Sequence, residues 1–221
     1  IPHVFQEGVH EEAQRAANLR LSEAKREDLR GLPIVAIDPA DARDHDDAIW
    51  AEPDGKGGYN AIVAIADVSF YVRPGSALDK EARKRGNSVY FPDRVVPMLP
   101  EILSADVCSL KEGEDRAAMV CHLHIDADGK FENRGFTRAL VRIHHNIAYE
   151  DAQAAVDAGD PPEYLAHLWG AWKLLAAARA KRDPLELELP ERRVVLNEEG
   201  QIAEIAVRER LDAHRVVEDF M

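Results

Sequence analysis

Ile34-Val35-Ala36-Ile37-Asp38-Pro39-Ala40-Asp41-Ala42-Arg43-Asp44-His45-Asp46-Asp47-Ala48-Ile49-Trp50 is the stretch from which fold and chemistry are both read. Its first four residues are apolar and rich in β-branched side chains, the composition of a buried strand. The strand stops at Asp38-Pro39, a turn signal. Ala48–Ala51 reads as the next strand, and Tyr59–Ala66 as a third, after the glycine-rich loop 54–58. Between the first two strands, five acids fall within ten residues. Such a cluster repels itself unless something neutralises it. Arg43 offsets part of the charge, and a protonated His45 would offset more.

A solvated acidic loop is the plain reading of these residues. Three features favour a metal site instead. The acids follow a buried strand directly, where a rigid scaffold displays chemistry. No glycine or serine interrupts them, unlike a flexible acidic linker. Hard cations want several carboxylate oxygens from one compact segment. An EF-hand starting at Asp44 fails, because Ala48, Ile49 and Gly55 stand where an acid or amide, a glycine and a glutamate are needed. Other phosphoryl-transfer sites remain open on charge alone. Asp38, Asp44, Asp46 and Asp47 are therefore candidate ligands for Mg²⁺, one ion or two. Two ions set about 3.5–4 Å apart would clamp the attacking and leaving oxygens of a phosphodiester.

Working outward, residues 11–30 are polar and charged, a surface helix or lead-in linker that ends at Gly31-Leu32-Pro33. Ser76–Arg85 has the marks of a capped helix, with Ser76 at the cap, Asp79 in the first turn and Gly86 at the end. Residues 87–91 read as extended. Arg116–Ile125 and residues 131–143 read as a hairpin, as do Val194–Leu196 and Ile202–Val207. Tyr164–Ala180 has helical apolar spacing at Leu165, Leu168, Trp169, Trp172 and Leu175. Asp212–Met221 begins a helix at the end of the sequence, which reads as truncation, as does the lack of an initiator Met. The fold class expected is α+β, a mixed or antiparallel sheet core flanked by helices.

The 221 residues are 46% hydrophobic and 31% charged, enough for a sizeable core. No apolar run approaches the roughly 20 residues of a membrane helix, so no membrane partner is expected. The N-terminus is not a secretion signal. Cys108 and Cys121 have no metal or redox spacing and read as two buried free thiols, consistent with a reducing, cytoplasmic setting. A net charge of −13 argues against nucleic acid when taken alone. A bound cation changes that weighting, because it presents positive charge to a phosphate.

The motifs resemble, in order, those of the ribonuclease II and ribonuclease R exoribonucleases, with wording closer to ribonuclease R. The resemblance runs from Leu32 through Ala48, then through Ala64–Pro74, Arg85–Pro92, Val96–Pro100 and Cys108–Leu110, and ends in Asp212–Met221. It implies an RNB-type catalytic domain over 31–221, its C-terminal part absent, with residues 1–30 leading into it. It implies Mg²⁺-dependent, processive 3′→5′ hydrolysis of single-stranded RNA with a free 3′ end, giving 5′-mononucleotides. By position, Asp38, Asp44, Asp46 and Asp47 carry over as the acidic quartet. Asp46, with Asp44, carries the catalysis, and Asp38 and Asp47 face metal. Tyr90 carries over as the aromatic that stacks near the terminal base, and Glu218 as a contact to a terminal nucleotide. Two departures stand out. His45 occupies a position that is often apolar, and the family's downstream catalytic arginine is absent. The OB-fold RNA-binding domains expected in the same parent chain are absent too, and a monomer is expected. The piece could be inactive alone. The alternatives are a non-catalytic RNA-binding or scaffold module, or another Mg²⁺-dependent phosphodiesterase.

Smaller expectations follow from the residues themselves. Tyr90 and Phe91 are neighbours in an extended stretch and point to opposite sides, one of them free to be exposed; the resemblance implies that Tyr90 faces RNA and Phe91 the core. Arg73, Lys80, Arg83, Lys84 and Arg85 form a basic patch that is either a solvated helix face or a phosphate contact, with Arg73 and Arg85 the candidates at RNA. Asp67 reads equally as a supporting acid or a turn residue.

Overall fold

The computed structural model describes residues 3–185 and 191–221. The chain opens with helix α1 (Glu7–Ala17), followed by the short strand β1 (Glu27–Asp28). Strands β2 (Val35–Asp38), β3 (Asp47–Pro53) and β4 (Tyr59–Ala66) come next. Helices α2 (Val68–Tyr71) and α3 (Ala77–Arg85) precede a small ribbon of β5 (Val89–Tyr90) and β6 (Val95–Val96). A π-helical turn, Leu103–Val107, leads into the long hairpin of β7 (Asp115–Ile125) and β8 (Phe131–Arg142). Then come β9 (His145–Ala148), α4 (Tyr149–Asp157) and α5 (Glu163–Ala180). A second hairpin, β10 (Glu191–Leu196) and β11 (Ile202–Arg208), precedes α6 (Asp212–Phe220).

Seven strands form one mixed sheet in the order β1-β8-β7-β4-β3-β2-β9. The four central pairings are antiparallel, while β1–β8 and β2–β9 are parallel. The α+β expectation holds. Successive residues of the central strands point to opposite faces, and here both faces are covered. Ile34, Ala36, Ala48 and Trp50 pack with Val9 and Ala13 of α1, Leu78 of α3, and Leu103 and Leu110. Val35, Ile37, Ile49 and Ala51 pack with Ala152 of α4, Leu168 and Trp169 of α5, and Val216 and Phe220 of α6. Burial on both faces is why β2 to β4 read as continuous apolar runs rather than as alternation. Truncating a side chain such as Ile49, which is 1% exposed, to alanine is expected to cost about 2–5 kcal/mol.

Local chemistry accounts for several boundaries. The Ser76 hydroxyl accepts from the Asp79 N–H, and Gly86 ends α3 at φ 84°, a left-handed conformation suited to glycine. The α5 stripe is core, with Leu165, Leu168, Trp169 and Trp172 buried. Gly170 lets α5 approach the sheet: a Cβ there would lie 2.1 Å from the Tyr59 hydroxyl oxygen. Asp219 joins α5 to α6, accepting from Trp172 Nε1 and Arg179 Nη1 at 2.9 Å each. Cys108 is buried, but Cys121 is only half-buried, which corrects the reading of two buried thiols. No helix among the described residues is long and apolar enough to cross a membrane.

Candidate active site

Asp38 is the last residue of β2 and Asp47 the first of β3, so the sheet fixes both ends of the acidic loop. The register pairs Asp47 with Ile65, and the Ala66 N–H donates to the Asp46 carbonyl at 2.9 Å. The loop turns at once, with the Ala42 N–H on the Pro39 carbonyl at 2.9 Å. On its far side the Leu110 N–H donates to the His45 carbonyl at 2.7 Å.

The carboxylates do not share one environment. Asp38 Oδ2 is 2.7 Å from His45 Nδ1, both side chains about five-sixths covered (16% and 15% exposed). The hydrogen bond to Asp38 raises the His45 pKa above the ordinary histidine value, against its partial burial. Asp44 accepts the Tyr90 hydroxyl at 2.5 Å. Burial, then this bond, raises the Tyr90 hydroxyl to about 12. Burial raises Asp47 to about 7, with the charges of Asp38 and Asp46 adding to it. Asp46 is also raised, first by desolvation and then by Asp38 and Asp44, although its surface remains open to solvent. Beyond burial, part of the Asp47 rise is mutual repulsion, a surplus of like charge that His45 offsets in part.

That surplus, on an oxygen-only donor set, suits a hard divalent cation. The arrangement is not yet a coordination sphere. Among the described residues, no group of three or more His, Cys, Asp or Glu side chains stands as it would around a metal ion. Two of the four carboxylates are turned to other partners, Asp38 to His45 and Asp44 to Tyr90. In each the hydrogen bond engages Oδ2 and leaves Oδ1 for a cation.

The remaining sequence candidates are distributed unevenly. Tyr90 lies beside the loop and is 63% exposed. Phe91 does not face the core; it is 37% exposed, with the Arg94 guanidinium 5.2 Å from its ring centre. Strand alternation stops at Tyr90, because Phe91 already belongs to a turn, its N–H bonded to the Arg94 carbonyl. Of the basic patch, Arg73, Lys80, Arg83 and Lys84 are exposed, as a solvated face requires, and Arg85 is the exception. Arg85 has a side chain only 4% exposed; it bonds Glu81 and the carbonyls of Pro97 and Val4, and lies 3.7 Å over the Phe5 ring. It is a packing residue, not a phosphate contact. Arg83 pairs with Asp79 at 3.0 Å, and Arg73 is 5.8 Å from the Phe70 ring centre. Glu218 is paired with Arg210.

Asp67, left open by the sequence, follows β4 directly. Its fully buried carboxylate bonds Arg26 at 2.8 Å, Arg138 at 3.1 Å and Ser69 at 2.7 Å. Burial pushes its pKa upward, but the bonds from Arg26 and Ser69 and the charge of Arg138 bring it below the ordinary value. It is a supporting ion pair. His122 bonds Glu27 and Thr137, and His124 bonds Asp54 at 3.0 Å, so neither makes a metal site.

With this geometry in hand, the comparisons are clear. The RNB domain profile matches residues 26–221. The chain belongs to the RNB family. A ribonuclease R from Vibrio parahaemolyticus is 42% identical over the whole chain, which spans 28% of that relative's length. The Escherichia coli ribonuclease R is 39% identical over the same coverage. The structure of Mycoplasma genitalium RNase R in complex with ribose methylated single-stranded RNA superposes with a TM-score of 0.90 at 28% identity; it covers all of this chain and 36% of that one. The RNB chain described here therefore spans just over a quarter of the length of its curated relatives.

Proposed function

We propose that this RNB domain is the acidic catalytic half of a Mg²⁺-dependent 3′→5′ exoribonuclease, acting processively on single-stranded RNA with a free 3′ end and releasing 5′-mononucleotides. The observation that carries the reading is the run of carboxylates that the ends of β2 and β3 hold together, with burial and mutual charge raising Asp46 and Asp47. Asp38, Asp44, Asp46 and Asp47 would hold the cation. When bound, Mg²⁺ supplies positive charge at the phosphate and a water acidic enough to attack it.

The chain's own residues do the rest. Asp46, the most open of the four, assists the attacking water. The β2 and β3 strand ends keep Asp38 and Asp47 in place, so little ordering is left for the moment of reaction. The exposed Tyr90 ring offers a stacking face beside the loop, worth about 1–3 kcal/mol per base without sequence preference. The single-stranded RNA bound by the Mycoplasma relative supports this substrate class. A surface of net charge −13 gives RNA backbone little attraction. The cationic grip is assigned to OB-fold modules of the parent chain, working with this domain as a monomer in the cytoplasm.

The test is release of 5′-mononucleotides from a 3′-hydroxyl oligoribonucleotide by the parent protein, with Mg²⁺ and with chelator. Release that is abolished by chelator and blocked by a 3′-phosphate is expected. Internal cleavage, or turnover indifferent to chelator, overturns the reading.

A further inference from the structure

Ser109 plays no part in the chemistry above, yet it is fully buried and its hydroxyl is spent on the acidic loop. The hydroxyl donates to the Arg43 carbonyl at 2.9 Å and accepts the His45 N–H at 3.2 Å. Those two groups lie on the residues that bracket Asp44. The next residue, Leu110, holds the His45 carbonyl at 2.7 Å, on the peptide that leads into Asp46. The strut is itself braced from behind. Arg116 Nε donates to the Ser109 carbonyl at 2.8 Å, and Asn146 Nδ2 to the Leu110 carbonyl at 3.0 Å.

We infer that Ser109 is a positioning residue for the metal-holding acids: its one hydroxyl closes the loop across Asp44 and keeps mutually repelling carboxylates in a single cradle. The inference rests on the Mg²⁺ reading of that loop. The physical argument is direct. Four like charges on a short connection push it open, and loop residues carry backbone freedom that must be removed before several oxygens can face one cation. Fixing the groups on both sides of Asp44 removes the rotations that would swing its carboxylate away. Groups that support ligands in this way typically change metal affinity or activity about 10–100-fold when removed.

Titration of the apo protein with Mg²⁺, read by calorimetry, compares wild type, S109A and S104A. Ser104 is a fair control, a partly buried hydroxyl five residues earlier that bonds the Leu99 carbonyl at 3.4 Å. S109A is expected to raise the half-saturating Mg²⁺ concentration about tenfold or more, while S104A leaves it in place. In turnover, excess Mg²⁺ should restore most of the S109A kcat with KM for RNA unchanged, which general structural damage would not allow. The wild-type His45 amide should be protected from hydrogen exchange with or without Mg²⁺, a readout that needs no variant. S109A binding Mg²⁺ as wild type does, or an unprotected His45 amide, overturns the strut. Absence of Mg²⁺ binding in the wild type overturns the metal reading itself, and the strut with it.

Discussion

Asp67, just past the end of β4, and Asp47, the first residue of the neighbouring β3, stand at the same end of the sheet and have opposite electrostatic surroundings. Asp67 is fully buried yet has two arginines and a serine on its carboxylate, and its pKa falls. Asp47 is partly buried and has acids for neighbours; its burial first, and their charges second, raise its pKa to about 7. Burial alone therefore does not separate a structural acid from a chemical one. The sign of the surrounding charge does. The first acid pairs with Arg26 and Arg138; the second lies where the proposed cation would bind.

The most severe test of that contrast is Asp46→Asn. It should lower cleavage by about a thousandfold, about 4 kcal/mol of barrier, while binding of a 3′-hydroxyl oligoribonucleotide changes little; normal cleavage in this variant breaks the catalytic assignment. Next, Asp67→Ala leaves Arg26, with a 5% exposed side chain, buried without its partner. It should cost about 3–5 kcal/mol in urea unfolding. Asp47→Asn, at the matching position, should instead be neutral or stabilise the metal-free protein by about 1 kcal/mol after allowance for solvent screening. Equal destabilisation by the two variants would erase the distinction.

The pH dependence should split the same way. Asp47 is raised in the folded protein, so its contribution is fully present below the ordinary carboxylate pKa of about 4 and is lost as pH rises through about 7. Asp67 is lowered, so its contribution is present above the ordinary value and lost as pH falls through its depressed pKa. Mg²⁺ should therefore raise the unfolding temperature more at pH 8 than at pH 5.5, since protons compete for the same oxygens; equal shifts at both pH values would argue against the acids as ligands. The smallest effect is expected from Tyr90→Phe. It frees Asp44 while keeping the stacking face, so RNA affinity should hold and Mg²⁺ affinity should change by about threefold or less, under about 1 kcal/mol.

What could be read from the sequence were the features written locally. Period and turn chemistry gave β2 to β4, both hairpins, α5, and α3 with its Ser76 cap and Gly86 stop. The same local signals miss β9, four residues that run straight into α4 without glycine or proline. They also miss β1, whose two residues, Glu27 and Asp28, look like any polar surface. Both pair in parallel with distant strands, which no short-range signal encodes. The site divides likewise. Charge and placement after a buried strand mark the acidic loop. Its contacts with Tyr90, Ser109 and Leu110 span dozens of residues and emerge only on folding. Arg85 departs from the basic patch for the converse reason: adjacent cations on a helix point in different directions, and Arg85 points inward.

The parallel pairing of β2 with β9 has a geometric consequence for the site. Asp38 and Ala148 end their strands side by side. From there the two chains part, one into the acidic loop held by Leu110 on one side of the sheet, the other into α4, whose Ala152 packs on the opposite side. Connections that leave adjacent carboxyl ends for opposite sides are the arrangement at which open sheets bind ligands. The acids thus begin where the two connections separate, and none of the four is sealed in either core.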